Sequence, residues 1–193
     1  MSKNVSNLHY TKGVIICHGK SEYIFAKSLK NNLRLKIEIE GKDNGDQSIQ
    51  LTSITKYLDN KWCKNIREIS KKYDVEYKKK ELLNFKIFII MDIDEKELTD
   101  EMIENFKNGN MFLKYDYHDY VVPIFNDDNM DNVLRRMGYS IDSNEKVKGY
   151  KKIFPGDVGD LNAFIKIKDK FKDRKDSNMY ELLDYLYSCV DVF

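Results

Sequence analysis

The chain has 193 residues, is 41% hydrophobic and 34% charged, and carries 33 Lys+Arg against 32 Asp+Glu, a formal net charge of +1. That length suits one domain, or one domain with a small appendage, and the charge balance excludes a global pull on nucleic acid, so any such binding must use local patches. Only 2 prolines and 9 glycines argue against long disordered linkers.

The polar stretch Met1 to Lys12 lacks the apolar core of a signal peptide. No apolar run approaches the ~20 residues a bilayer-crossing helix needs. Cys17, Cys63 and Cys189 are far apart and form no CxxC pair, which reads as buried free thiols in a reducing compartment. The expectation is a cytoplasmic protein with no membrane partner.

Val14-Ile15-Ile16-Cys17 is a continuous, β-branched apolar run and predicts a strand covered on both faces. His18-Gly19-Lys20 turns the chain, Ser21 is the expected N-cap, and Ile24, Phe25, Ser28 and Leu29 share one helical face. Leu35 to Glu40 alternates apolar and charged residues, as a half-exposed strand near an edge does. After the polar loop Gly41 to Asp46, helices are expected around Leu51, Ile54 and Leu58 and around Trp62, Ile66 and Ile69. Residues 76–81 read as a solvated, lysine-rich connection.

Ile87 to Met91 is the strongest strand, ending in Asp92-Ile93-Asp94-Glu95. Thr99 should cap a helix bearing Met102, Ile103 and Phe106, closed by Asn108-Gly109. Tyr120 to Phe125 is another strand, in which Pro123 favours an edge or a bulge. Residues 129–137 look helical and stop at Gly138, and Ser140 to Gly159 is polar. Two amphipathic helices follow, one with Leu161, Phe164, Ile165 and Phe171, the other with Met179, Leu182, Leu183, Leu186 and Val190. The alternation of strands and helices to about residue 137 predicts an α/β fold with a mostly parallel sheet, a core over 1–138, and a loop with two helices over 139–193 packed on it.

Ligands of open α/β sheets gather at the carboxyl ends of strands. Two strand ends here are polar: His18-Gly19-Lys20-Ser21-Glu22 and Asp92-Ile93-Asp94-Glu95. Aspartates two apart share one side if the extended backbone persists, and both could then face a hard cation. The bland account makes Asp92 a loop cap and leaves Asp94 and Glu95 in solvent. Gly19 permits a sharp turn, and amides near Ser21 would face an anion at the helix start, with Lys20 on a phosphate. An ordinary strand–turn–helix junction explains the same residues. A P-loop is rejected, because its first glycine would fall at Val14.

An apolar strand, then Gly19-Lys20-Ser21-Glu22, then a distant apolar strand ending in Asp92-x-Asp94 resembles the Toprim domain of topoisomerases, primases, OLD-type nucleases and RloB-like defence proteins. The resemblance spans roughly residues 13–125. It implies a Toprim-like sheet flanked by helices, metal ligation by Asp92, Asp94 and Glu22 with Mg²⁺ or Mn²⁺, and phosphodiester cleavage of nucleic acid in a phage-defence setting. The glutamate that the family places before the glycine is His18 here. Histidine can exchange a proton near neutral pH, so the expected catalytic set is His18, Glu22, Asp92 and Asp94. The alternative is a catalytically silent module that binds nucleic acid, a nucleotide or a protein partner; in either case a protein partner or a homo-oligomer is the expected assembly.

Asp127 and Asp128 follow a strand and more simply cap the next helix, while His9 and His118 read as surface residues. Tyr77 to Lys80 and Lys146 to Lys152 mix lysine with tyrosine. The second stretch is the better nucleic-acid contact, with Lys148, Lys151 and Lys152 on phosphates and Tyr150 stacking on a base from a mobile loop. A solvated lysine-rich face is the plainer explanation.

Overall fold

The computed structural model describes residues 9–142, 146–153 and 161–190, without the side chains at 61, 146, 147 and 151. In chain order the elements are β1 (Gly13–Cys17), α1 (Lys20–Leu33), β2 (Ile37–Glu40), α2 (Ile54–Lys61), α3 (Ile66–Tyr73), β3 (Tyr77–Lys78), β4 (Glu81–Leu82), β5 (Lys86–Asp92), α4 (Asp100–Lys107), β6 (Val121–Asn126), α5 (Met130–Arg136), α6 (Lys146–Ile153), α7 (Leu161–Lys172) and α8 (Met179–Ser188). The main sheet has four strands in the order β2-β1-β5-β6, and every pairing is parallel. This is the α/β class that the strand–helix alternation predicts.

Burial explains the order. All five residues of β1 are buried, and so are the last six of β5. Strands that are apolar on both faces belong inside a sheet covered on both sides, and these two are the central pair. The alternating β2 lies on one edge. β6, with Pro123, lies on the other.

The period of two divides the core into two layers. Ile15, Cys17, Phe88, Ile90 and Ile124 pack with α1 and α5 to α8. Val14, Ile16, Ile87, Ile89 and Met91 pack with α2 to α4. Each fully buried aliphatic or phenyl side chain contributes about 1.5–3 kcal/mol relative to exposure.

Some elements differ from expectation. Ser21 lies within α1, and Gly19 is the N-cap. Trp62 follows α2 instead of lining a helix face. The lysine-rich connection holds the short antiparallel pair β3–β4, turned through positive φ at Lys79 and Lys80. The stretch expected to be a mobile loop contains α6, which buries Gly149, Tyr150 and Ile153 against the α1 layer. Pro155, Gly156 and Gly159 lie outside the described residues. Among the described residues, no helix is long and apolar enough to cross a membrane.

Candidate functional site

The pleat of the sheet decides which groups meet at its carboxyl edge. Along β5, Phe88 and Ile90 face the α1 layer, so Asp92 faces it too. Along β6, Val122 and Ile124 set the same parity for Asn126, which pairs with Asp92 across the strands. Asn126 Nδ2 donates to Asp92 Oδ1 at 3.0 Å, and Ser177 Oγ donates to Asn126 Oδ1 at 2.8 Å. Ser177 Oγ in turn accepts the Met179 amide at the start of α8. Asp92, Asn126 and Ser177 are all buried, so this chain fixes the carboxylate from behind.

Glu22 reaches the same place from the first turn of α1. Its Oε2 accepts the Gly19 N–H at 3.0 Å, and the positive end of the helix favours a carboxylate there. From the other side α5 brings Asp131, whose Oδ1 accepts the Tyr150 hydroxyl at 2.8 Å. Glu22, Asp92 and Asp131 are 2%, 5% and 6% exposed. They line a cavity of about 460 Å³ together with His18, Lys20, Ser48, Asn129 and Arg135.

Crowding carboxyl groups away from water disfavours their joint ionisation. Burial, with the Glu22 carboxylate next in weight, pushes Asp92 up to about 9, against the opposing pull of its bond from Asn126. Burial, with Glu22 adding to it, also pushes the Cys17 thiol well up, so this cysteine is no thiolate nucleophile. Burial lowers His18, opposed chiefly by Glu95.

His18 follows β1 with the parity of Val14 and Ile16, which face the α2 layer. Its Nδ1 is buried, has no hydrogen-bond partner among the described residues, and lies 3.9 Å from Glu95 Oε1. Glu95 itself accepts the Leu51 amide at 3.0 Å. The ring still lines the acidic cavity.

The loop after β2 closes the remaining side. Gly45 has φ +84, and an added Cβ would come within 2.9 Å of the Gly19 carbonyl oxygen, so only glycine lets the two turns pack so closely. The neighbouring Asp46 Oδ1 accepts from Lys20 Nζ at 2.6 Å, in an exposed pair on the rim.

The structure therefore brings His18, Lys20, Glu22 and Asp92 together and leaves Asp94 off the cavity wall, close enough for its charge to act on Asp92 and His18. β5 ends at Asp92, so the alternation that would have aligned Asp94 with it stops, and Asp94 is exposed and does not line the cavity. Tyr150 is a second correction. Its ring is fully buried and its hydroxyl is engaged by Asp131, so it offers no face for a base. Lys148 and Lys152 are exposed on α6, and the Lys151 side chain lies outside the described residues. Asp128 accepts from Asn129, Asn132 and Arg136 and so anchors the start of α5.

Sequence reasoning passed over Asp131 and Arg135. Both fall beside the buried Met130, Val133 and Leu134 stripe of α5, and a carboxylate flanking an apolar stripe in a first helical turn is the signal that points to it. Among the described residues, no group of three or more His, Cys, Asp or Glu side chains has metal-holding geometry. The donor pair Glu22 and Asp92 nevertheless suits a hard cation, which takes one or two protein carboxylates and fills its remaining positions with water and phosphate oxygens. No family model, curated protein or solved structure matches this chain.

Proposed function

We propose that this chain is a Toprim-like protein that cleaves phosphodiester bonds in nucleic acid with the help of a divalent cation, Mg²⁺ or Mn²⁺. The observation that carries the reading is the convergence of buried Glu22 and Asp92 in one cavity at the carboxyl edge of the parallel sheet. Such a pair is electrostatically costly alone and is relieved by a cation. When bound, the cation polarises a phosphoryl oxygen and makes water more acidic.

Glu22 and Asp92 hold it, with Asn126 and Ser177 orienting Asp92 and the first turn of α1 orienting Glu22. His18, whose ring lines the cavity and whose neutral form burial favours, takes a proton there, and the nearby Glu95 stabilises the resulting imidazolium. Lys20 exchanges its exposed pairing with Asp46 for a phosphate oxygen. The phage-defence setting belongs to the same reading and comes from the family resemblance alone.

Incubating the protein with labelled DNA and RNA, in Mg²⁺ and in Mn²⁺, tests this. Cleavage that is lost in Asp92→Asn and Glu22→Gln is expected. Cleavage at the wild-type rate in both variants removes these residues from the chemistry. The exposure of Asp94 and the histidine at position 18 favour a second reading, a silent module that binds nucleic acid or a protein partner without cutting. Calorimetry with Mn²⁺ and Mg²⁺ separates the two, since the silent module takes up no metal.

A further inference from the structure

Beside the acidic cavity, across Ser48, lies a second and larger one of about 620 Å³. It opens where β2 gives way to the 41–48 loop, and α2 forms its far wall. Its volume is in the range of small-molecule sites. Its lining is mixed in chemistry: Lys42 and Lys56 supply cations, Tyr57 and Ile49 apolar surface, and Asn60 and Ser48 hydrogen-bonding groups.

The lysines carry most of the argument. Around this edge Lys20, Lys30, Lys36 and Lys72 are each ion-paired, to Asp46, Glu38, Asp74 and Glu40. Lys42 and Lys56 are exposed and make no ion pair among the described residues. The cavity's own carboxylate, Asp43, is engaged by the Gln47 side-chain amide. The cavity thus presents two exposed cations without an ion-pair partner among the described residues and a half-buried aromatic ring.

The loop that separates the cavities is held in an unusual shape. Asp43, Asn44 and Gly45 have φ values of 48, 56 and 84, three successive left-handed residues. Tyr23 Oη donates to Asn44 Oδ1 at 3.1 Å, and Gly45 is seated on the first turn of α1. The wall between the cavities is therefore built on the same turn that carries Lys20 and Glu22.

We propose that this second cavity is a nucleoside-phosphate subsite. It holds the sugar and base against Tyr57, with the side-chain oxygen of Asn60, whose Nδ2 donates to the Lys56 carbonyl, on a base edge and the phosphate between Lys42 and Lys56. This rests on the nucleic-acid reading above and deepens it, because a strand lying across Ser48 places the adjoining phosphodiester in the acidic cavity. The same chemistry serves a free nucleotide or one unit of a single strand.

The test is fluorescence anisotropy of the full chain with labelled single-stranded dT6 and rU6, competed with unlabelled nucleoside monophosphates, in EDTA so that the carboxylate site is silent. Lys42→Gln combined with Lys56→Gln should weaken binding by roughly tenfold or more, and Asn60→Ala by a smaller factor. Lys166→Gln with Lys172→Gln, exposed on α7 in the opposite layer of the sheet, should leave it unchanged. Monophosphates that compete as well as the hexamers identify a free nucleotide as the occupant, and hexamers that bind far more tightly identify a strand. Absence of binding by every probe, or binding indifferent to Lys42 and Lys56, overturns the subsite. Failure of the cleavage reading is distinguishable, because it would leave this metal-free binding intact and abolish only the effects of Asp92→Asn.

Discussion

The two cavities at the carboxyl edge share Ser48 but have opposite electrostatics. The first is walled by carboxylates that the fold has removed from water, Glu22, Asp92 and Asp131. The second is lined by lysines that stay in solvent. Burial makes the acidic groups intolerant of one another, so they call for a cation. Exposure leaves the lysines charged at little cost and ready for an anion. One loop of eight residues, 41–48, is enough to separate the two environments, because its left-handed turn packs directly on the start of α1.

The largest effect expected is on the acidic side. Asp92→Asn should lower cation-dependent cleavage by on the order of 10²-fold or more, whereas Asp94→Asn should leave it near the wild-type rate. Equal losses from both substitutions, in a single-turnover assay on labelled nucleic acid, would mean that the exposed aspartate joins the site after all.

Next in size is the support behind Asp92. Ser177→Ala strips Asn126 of its partner within a buried chain and should cost about 1–3 kcal/mol of unfolding free energy by urea titration. It should also weaken cation uptake. An unchanged denaturation midpoint would show that the chain does not fix the site.

The pH dependence of stability comes third. Asp92 has its folded pKa raised to about 9 from an ordinary carboxylate value, so between the two the native state holds a proton that the unfolded chain has released. The contribution is present in full at acidic pH and is lost as pH rises toward 9. In EDTA the melting temperature should therefore fall by more than about 3 °C over that interval through this group, and Asp92→Asn should flatten the slope. Mn²⁺ should reverse the trend at alkaline pH, since a cation takes the place of the proton. A slope identical in wild type and variant would place the titration elsewhere.

The smallest effect is expected from Tyr150→Phe. It removes one hydrogen bond to Asp131 while keeping the packed ring, at a cost of about 1 kcal/mol. A much larger loss of stability would mean that the hydroxyl, and not the ring, holds α6 on the core.

How much of this was legible in the chain varies by residue. Val14 to Cys17 and Ile87 to Met91 read as doubly covered strands because their apolar runs are continuous, and they form the central pair of the sheet. Thr99 read as a cap because its hydroxyl has one evident use, and it accepts the Met102 amide. Tyr150 was misread because a lysine-flanked tyrosine looks the same in a loop as on a helix whose other face is buried. Asp94 was misread because a two-residue spacing means one shared side only while the strand continues. Asp131 was passed over because a first-turn carboxylate beside an apolar stripe looks the same whether it stabilises its own helix or turns into a cavity.

The order of residues determined the four strands of the main sheet, most of the helices and the class of fold, since hydrophobic period and capping are properties of neighbours along the chain. It also placed His18, Lys20, Glu22 and Asp92 at strand ends. Which carboxylates share a cavity, which lysines lack a counter-ion, and which tyrosine is sealed inside were decided only by tertiary structure. Those properties depend on burial and on distances between residues as far apart in sequence as Glu22, Asp92 and Asp131, and local spacing carries no record of either.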